Sequence, residues 1–192
     1  MIRVVCLKWG DKYSAEYVNR LYRSVKRHLD EPFTFHCMTE NAEALLPEIE
    51  PIALTDMGLQ GWWYKLLLFK RGFLPFPNEE LVLYLDLDVV ILNDLKPLLD
   101  GYRAPLSISA DDTPNRMNSS VMVFQAGSLG FVWESFQAQR EYVLAHYHGD
   151  QDWIEQVVPA AHILPKSIVC SFKIDLNSKT PFSFGSVGRF LR

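Results

Sequence analysis

Leu81-Val82-Leu83-Tyr84-Leu85-Asp86-Leu87-Asp88 is the most informative stretch of the chain. Its five leading apolar residues follow the breakers Pro75, Pro77 and Asn78 and read as a strand buried on both faces. Two carboxylates then interrupt an apolar run that resumes as Val89-Val90-Ile91-Leu92. At the end of a buried strand, Asp86 and Asp88 would repel each other and lose hydration. A divalent cation resolves both problems, because hard oxygen ligands suit Mg²⁺ or Mn²⁺. In an open α/β sheet the carboxyl end of a strand is also where ligands bind. A bare D-x-D is weak evidence: twelve Asp give about 0.7 such tripeptides by chance, and a second occurs at Asp150 and Asp152. Only the buried context separates the first pair from the alternative, two Asp that cap loops or pair with surface cations. A metal at a strand end most often serves phosphate-bearing substrates.

Working outward, Ile2 to Leu7 is a short β-branched run that reads as a buried strand. Ser14 can cap a helix starting at Ala15, in which Tyr17, Val18, Leu21, Tyr22, Val25 and Leu29 recur at helical spacing. Phe33 to Thr39 is a second strand, and the β-α-β opening predicts a parallel sheet. A loop or short turn over 43–51 leads to a third strand near Ile52 to Leu54. Trp62 to Phe69 is apolar and helix-compatible; Trp62 and Trp63 read as core, with a sugar face packed on an indole as the alternative. Further strands are expected at Leu106 to Ala110, Ser120 to Phe124 and Ile168 to Phe172, and helices at Leu129 to Ala145 and Asp150 to Val157. The expected fold class is α/β, a mixed and mostly parallel central sheet flanked by helices, in one domain over 1–192.

The whole composition narrows the function. With 192 residues the chain should bury about 70% of its unfolded surface, and 48% hydrophobic residues exclude disorder as the main state. Lys plus Arg is 19 against 23 for Asp plus Glu, a poor balance for non-specific nucleic-acid binding. No apolar run approaches the roughly 20 residues of a membrane span, and the first residues are too short for a signal-peptide core. A peripheral membrane contact stays open. Cys6, Cys37 and Cys170 lie far apart, without a C-x-x-C pair, which fits buried thiols in a reducing cytosol. The expected location is cytoplasmic.

Leu83-Tyr84-Leu85-Asp86-Leu87-Asp88-Val89-Val90 resembles the DxD segment of GT-A-fold glycosyltransferases, especially family 8. Three further segments resemble that family in order. Val5 to Tyr13 is similar to its first strand and nucleotide loop. Met117-Asn118-Ser119-Ser120-Val121 resembles its N-x-G-v strand, with Ser where Gly is common, and Gly149-Asp150-Gln151-Asp152 its D-Q-D element. The resemblance spans roughly residues 2 to 172, and its force lies in the order of the four segments.

That resemblance implies a metal-dependent hexosyltransferase that retains anomeric configuration and uses a nucleotide sugar, a UDP-sugar in the first place, with a saccharide or lipid-linked acceptor. Asp86 and Asp88 would hold Mn²⁺ or Mg²⁺ and through it the donor diphosphate. Tyr13 would border the base, with Lys8 and Asp11 near the nucleotide; an ordinary helix-flanking aromatic is the alternative for Tyr13. Lys65 would contact phosphate, or else snorkel from a core helix. Asn118 would bind sugar or acceptor, and Asp150 and Gln151 would line the reacting centre. Asp150 could also cap a helix; His146 and His148 flank this segment and either could support its residues, with ordinary surface histidines as the alternative.

The family usually carries a C-terminal H-x-G-x-x-K-P-W whose His completes the metal site, and residues 182–192 contain none. The expectation is a chain cut short, a substituted ligand, or a weakened protein, with Arg189 and Arg192 as stand-in phosphate contacts. Two other functions compete. A sugar-phosphate nucleotidylyltransferase would need a Gly-rich phosphate loop, and Lys8-Trp9-Gly10-Asp11 has one Gly. A non-catalytic nucleotide- or sugar-binding relative would explain the missing motif.

Overall fold

The computed structural model describes residues 1–171 and the backbone of 190–191. In chain order the elements are β1 (Ile2–Lys8), α1 (Ala15–His28), β2 (Phe33–Thr39), β3 (Ile49–Ala53), a 3-10 helix (Gly61–Phe69), β4 (Leu81–Leu85), β5 (Val90–Ile91) and α2 (Lys96–Asp100). They continue with β6 (Leu106–Ala110), β7 (Met117–Gln125), α3 (Gly130–Ala138), α4 (Arg140–His146), α5 (Asp150–Val157), β8 (His162–Leu164), β9 (Val169–Cys170) and β10 (Phe190–Leu191). Seven strands form one sheet in the order β3-β2-β1-β4-β7-β6-β8, and β5, β10 and β9 form a small second sheet. In the large sheet only β7 runs against its neighbours, β4 and β6; the other pairs are parallel.

The central strands are apolar throughout because both faces are covered. Their side chains alternate between two cores. Val82 and Tyr84 of β4 pack with Val5, Leu66, Leu67 and Phe124 on the face covered by the 3-10 helix, α3 and α5. Leu83 and Leu85 turn to the opposite face, against Val18, Leu21 and Val25 of α1. The period of two, continued past Leu85, aims Asp86 to the same side as Tyr84. That face holds the 3-10 helix.

Several local expectations are corrected. Ser14 occupies the cap position of α1 but makes no side-chain cap bond; its carbonyl accepts from Tyr17 N at 3.0 Å. The third strand begins at Ile49, which is buried and pairs with Phe35, three residues ahead of the expected start at Ile52. The helix expected over Leu129 to Ala145 is broken at Gln139, which leaves helical geometry between α3 and α4. β8 and α2 carried too short an apolar pattern to be read. The segment Trp62 to Phe69 is helical, but as a nine-residue 3-10 helix, long for that geometry. Trp63 is buried and stacks on Phe136 at 5.8 Å, whereas Trp62 is 56% exposed and is not core. Among the described residues no helix is long and apolar enough to cross a membrane. All three cysteines are buried.

Candidate functional site

Topology brings the chemistry-bearing residues to one edge of the sheet. β1 and β4 are parallel, so their carboxyl ends coincide, followed by the loop 9–13 and by Asp86. β7 is antiparallel to β4, with Leu85 opposite Val121, and Asp86 N donates to Ser120 O at 2.9 Å. The amino end of β7, which carries Asn118, Ser119 and Ser120, therefore lies beside Asp86. Its ladder to β6 passes from Met122 directly to Asn118 and skips residues 119–121. Such a bulge re-aims side chains away from the regular pleat.

Lys65 is the hub. Its ammonium lies 3.0 and 3.1 Å from the two Asp86 oxygens, 3.0 Å from Ser119 Oγ and 3.9 Å from Asp150 Oδ2. The residue is only 6% exposed, so it does not snorkel to solvent. Burial pulls its pKa down, but the Asp150 and Asp86 carboxylates outweigh that and hold it above the usual lysine value. The Tyr84 hydroxyl donates to Asp86 Oδ1 at 2.7 Å. Asp88 is exposed and accepts from the Tyr13 hydroxyl at 3.0 Å. Tyr13 thus touches the acidic pair directly, and its ring packs on Tyr17 at 4.9 Å.

Asp150 is 3% exposed and opens α5 after the extended Gly149, so Gly149 and not Asp150 holds the cap position. Burial pushes its pKa up, opposed by the Lys65 charge and a hydrogen bond with Ser119. Asp150 Oδ2 has no hydrogen-bond partner among the described residues. Gln151 Oε1 accepts from Asn118 Nδ2 at 3.3 Å, which joins the N-x-S and D-Q-D segments. α5 is anchored by Trp153 and Ile154 in the core, with Trp153 Nε1 donating to Val132 O at 3.2 Å.

Two cavities meet at this hub. The first, about 380 Å³, is lined by the loop 9–13, Tyr84, Asp86 and Asp88. The second, about 320 Å³, is lined by Ser119, Ser120 and residues 148–152. Trp62, Lys65 and Asp86 border both. Three-residue periodicity explains part of this: in a 3-10 helix side chains three apart eclipse, which places Trp62 in line with Lys65.

The expected residues divide accordingly. Asp11, Tyr13, Lys65, Asp86 and Asp88 share the first cavity, and Asp150, Gln151, Lys65 and Asp86 the second. Asn118 reaches the second through Gln151. Lys8 is buried at the end of β1 and does not line either cavity. Lys12 lines the first, with its ammonium 4.7 Å from the centre of the Tyr13 ring. His148 lines the second, while His146 bonds Tyr142 O from the exposed side of α4. Trp9 and Lys12 were given no role from the sequence; a Trp directly after a buried strand was the available signal for Trp9. Trp62, read from the sequence as core with sugar packing on its indole as the alternative, lines both cavities. Arg189 and Arg192 lie outside the residues whose side chains are described.

The donor set suits a hard divalent cation in one respect. Two carboxylates, one half-buried and one exposed, face a common cavity, as in sites completed by water and substrate phosphate. Asp86 retains acceptor capacity beyond its contacts with Lys65 and Tyr84. Among the described residues no group of three or more His, Cys, Asp or Glu is placed to hold a metal.

No family model and no curated protein matches the sequence. Solved structures do match the fold. A crystal structure of the galactosyltransferase LgtC with donor and acceptor sugar analogues superposes over 92% of this chain and 80% of its own, with a TM-score of 0.66 and 16% identity. An active-site Gln-to-Glu variant of LgtC matches over 96% and 80%, at 0.70 and 16%. The glycosyltransferase GlyE of Streptococcus pneumoniae TIGR4 matches over 92% of this chain and 49% of its own, at 0.68 and 15%. The chain spans about half the length of GlyE. The mixed α/β fold is thus the one found in GT-A glycosyltransferases.

Proposed function

We propose that the protein is a glycosyltransferase that moves a hexose from a nucleotide sugar, a UDP-sugar in the first place, to a saccharide or lipid-linked acceptor. The observation that carries this reading is the pair of cavities joined at Lys65 and Asp86, one bearing the acidic pair and the other the Gly149 to Asp152 turn. The first cavity takes the nucleotide, with Tyr13 and Trp9 as flat surfaces for the base and ribose. Asp86 and Asp88 would hold Mn²⁺ or Mg²⁺, whose chemistry when bound is to neutralise the charge that develops on a departing diphosphate. Lys65 adds a fixed ammonium at the junction, preorganised by Asp86, Ser119 and Asp150.

The donor hexose would then lie at the junction, facing Asp150 and Gln151. Asp150 Oδ2, buried and without a hydrogen-bond partner among the described residues, is an acceptor for a sugar hydroxyl. Gln151, steadied by Asn118, offers an amide to the same ring. The comparison with LgtC supports the placement of a donor and an acceptor in such a fold. Retention of anomeric configuration rests on family resemblance alone.

Calorimetry with UDP and Mn²⁺ tests the reading. We expect saturable binding by the wild-type protein, dependent on the metal, and its loss in Asp86→Ala and Asp88→Ala. Absence of binding by the wild type, or equal binding by both variants, would overturn it. One alternative is a nucleotide- or sugar-binding relative without turnover. Binding of UDP with neither transfer nor donor hydrolysis across a wide acceptor panel would select that alternative.

A further inference from the structure

Trp62 stands out among the tryptophans of the chain. It is 56% exposed, although its neighbour Trp63 is buried and stacked in the core. Isolated exposed aromatics are common on protein surfaces and need no function. This one is held in place. Its indole Nε1–H donates to His148 O at 3.2 Å, which fixes the ring against the turn that leads into Asp150. The turn is shaped to admit it: a Cβ on Gly149 would lie 2.9 Å from Trp62 Nε1 and 3.1 Å from Cδ1. Gly149 has extended backbone, open to any residue, so the indole and not the chain conformation explains the glycine. The ring borders both cavities, at the point where they join.

We infer that Trp62 is a stacking platform for a pyranose ring in the second cavity. The C–H bonds that gather on one face of a pyranose are weakly positive, and the face of an indole is negative. A ring already fixed by a hydrogen bond loses little rotamer entropy when a sugar lies on it. Polar partners for the sugar's edge line the same cavity: Ser120, Gln151 and Asp152. The ligand class is therefore a saccharide with a terminal pyranose that presents an apolar face, such as a galactoside or glucoside. That this saccharide is the acceptor rests on the proposed transferase function; that it stacks on Trp62 does not.

The test uses the full chain labelled with ¹⁵N at its five indoles. Trp62→Phe assigns the Trp62 resonance by its disappearance. Methyl β-D-galactopyranoside and methyl β-D-glucopyranoside are titrated, with sorbitol as an open-chain polyol that has hydroxyls but no ring face. We expect a saturable shift of the Trp62 resonance with at least one pyranoside and none with sorbitol. Trp62→Ala should weaken that saccharide's affinity about tenfold, and Trp62→Phe, which keeps an aromatic face, should recover part of the loss. An unmoved Trp62 resonance, an equal response to sorbitol, or unchanged affinity in Trp62→Ala would overturn the inference. Failure of UDP and Mn²⁺ to bind would instead count against the transferase reading, and the saccharide titration would still decide the role of Trp62.

Discussion

Lys65 carries more structural weight than any other polar side chain of the site, because three oxygen-bearing residues surround it where water is scarce. Removing one partner of a buried ion pair strands the other charge, at a cost of about 3–5 kcal/mol. Asp86 keeps partial contact with solvent, so the lower end applies. Without divalent cations, Lys65→Met should lower the melting temperature by about 6–12 °C, and adding Asp150→Asn should restore part of it. A second buried ionisable group, His36, works differently. Its Nε2 meets Thr34 Oγ1 at 2.7 Å, and its Nδ1 lacks a hydrogen-bond partner among the described residues, with Glu50 Oε2 at 3.6 Å. Burial pulls its pKa below the usual histidine value; Glu50 opposes this and Arg3 adds to it. The unfolded chain therefore binds the proton more readily than the folded one. This contribution to stability is complete above about pH 6.5 and is lost as pH falls from there toward the folded value. Thermal melts from pH 8 to pH 5 should show a steeper loss for the wild type than for His36→Gln; parallel curves would remove His36 from the account.

Among elements, α1 separates two signals that look alike in the sequence. Ser14 is a good cap residue in the right place, yet its hydroxyl makes no cap bond. Asn19, unremarked in the sequence, is buried and donates to Ala44 O at 2.9 Å while accepting from Leu46 N at 3.0 Å. It fastens the segment that leads into β3. Ser14→Ala should therefore change stability by less than about 0.5 kcal/mol, whereas Asn19→Ala, which strands two backbone groups, should cost about 1–3 kcal/mol. Urea denaturation of the two variants checks this, and a larger loss for Ser14→Ala would contradict it. The 3-10 helix makes a related point. Its apolar residues made helix legible, but seven buried residues in nine have no amphipathic period from which to choose between helix types. Packing against the sheet and α3 made that choice, and with it the alignment of Trp62 over Lys65.

At the scale of the molecule, the site gathers residues from five places in the chain: the loop after β1, the 3-10 helix, the end of β4, the start of β7 and the start of α5. A ligand that bridges them stabilises only the folded state. At a hundredfold excess over its dissociation constant it adds about 2.7 kcal/mol, worth about 5–10 °C in a chain of this size. UDP with Mn²⁺ should raise the melting temperature by that order in the wild type and leave Asp88→Asn unmoved; equal shifts would place the ligand elsewhere.

By itself, the sequence determined the parallel β-α-β opening, the buried strand that ends in two aspartates, and the α1 stripe. These depend on periodicity and burial along a single segment. The order of its segments also announced which residues to bring together. Tertiary structure alone decided that Lys65 is buried between Asp86 and Asp150, that Lys8 is buried and lines neither cavity, and that Trp62 stands out of the core. Each of those depends on what a neighbouring segment presents: an antiparallel β7 that brings Ser119 alongside, an α5 that starts at Asp150, and a glycine at 149 that leaves room for an indole. A side chain's environment is set by contacts distant in sequence, and no local pattern encodes them.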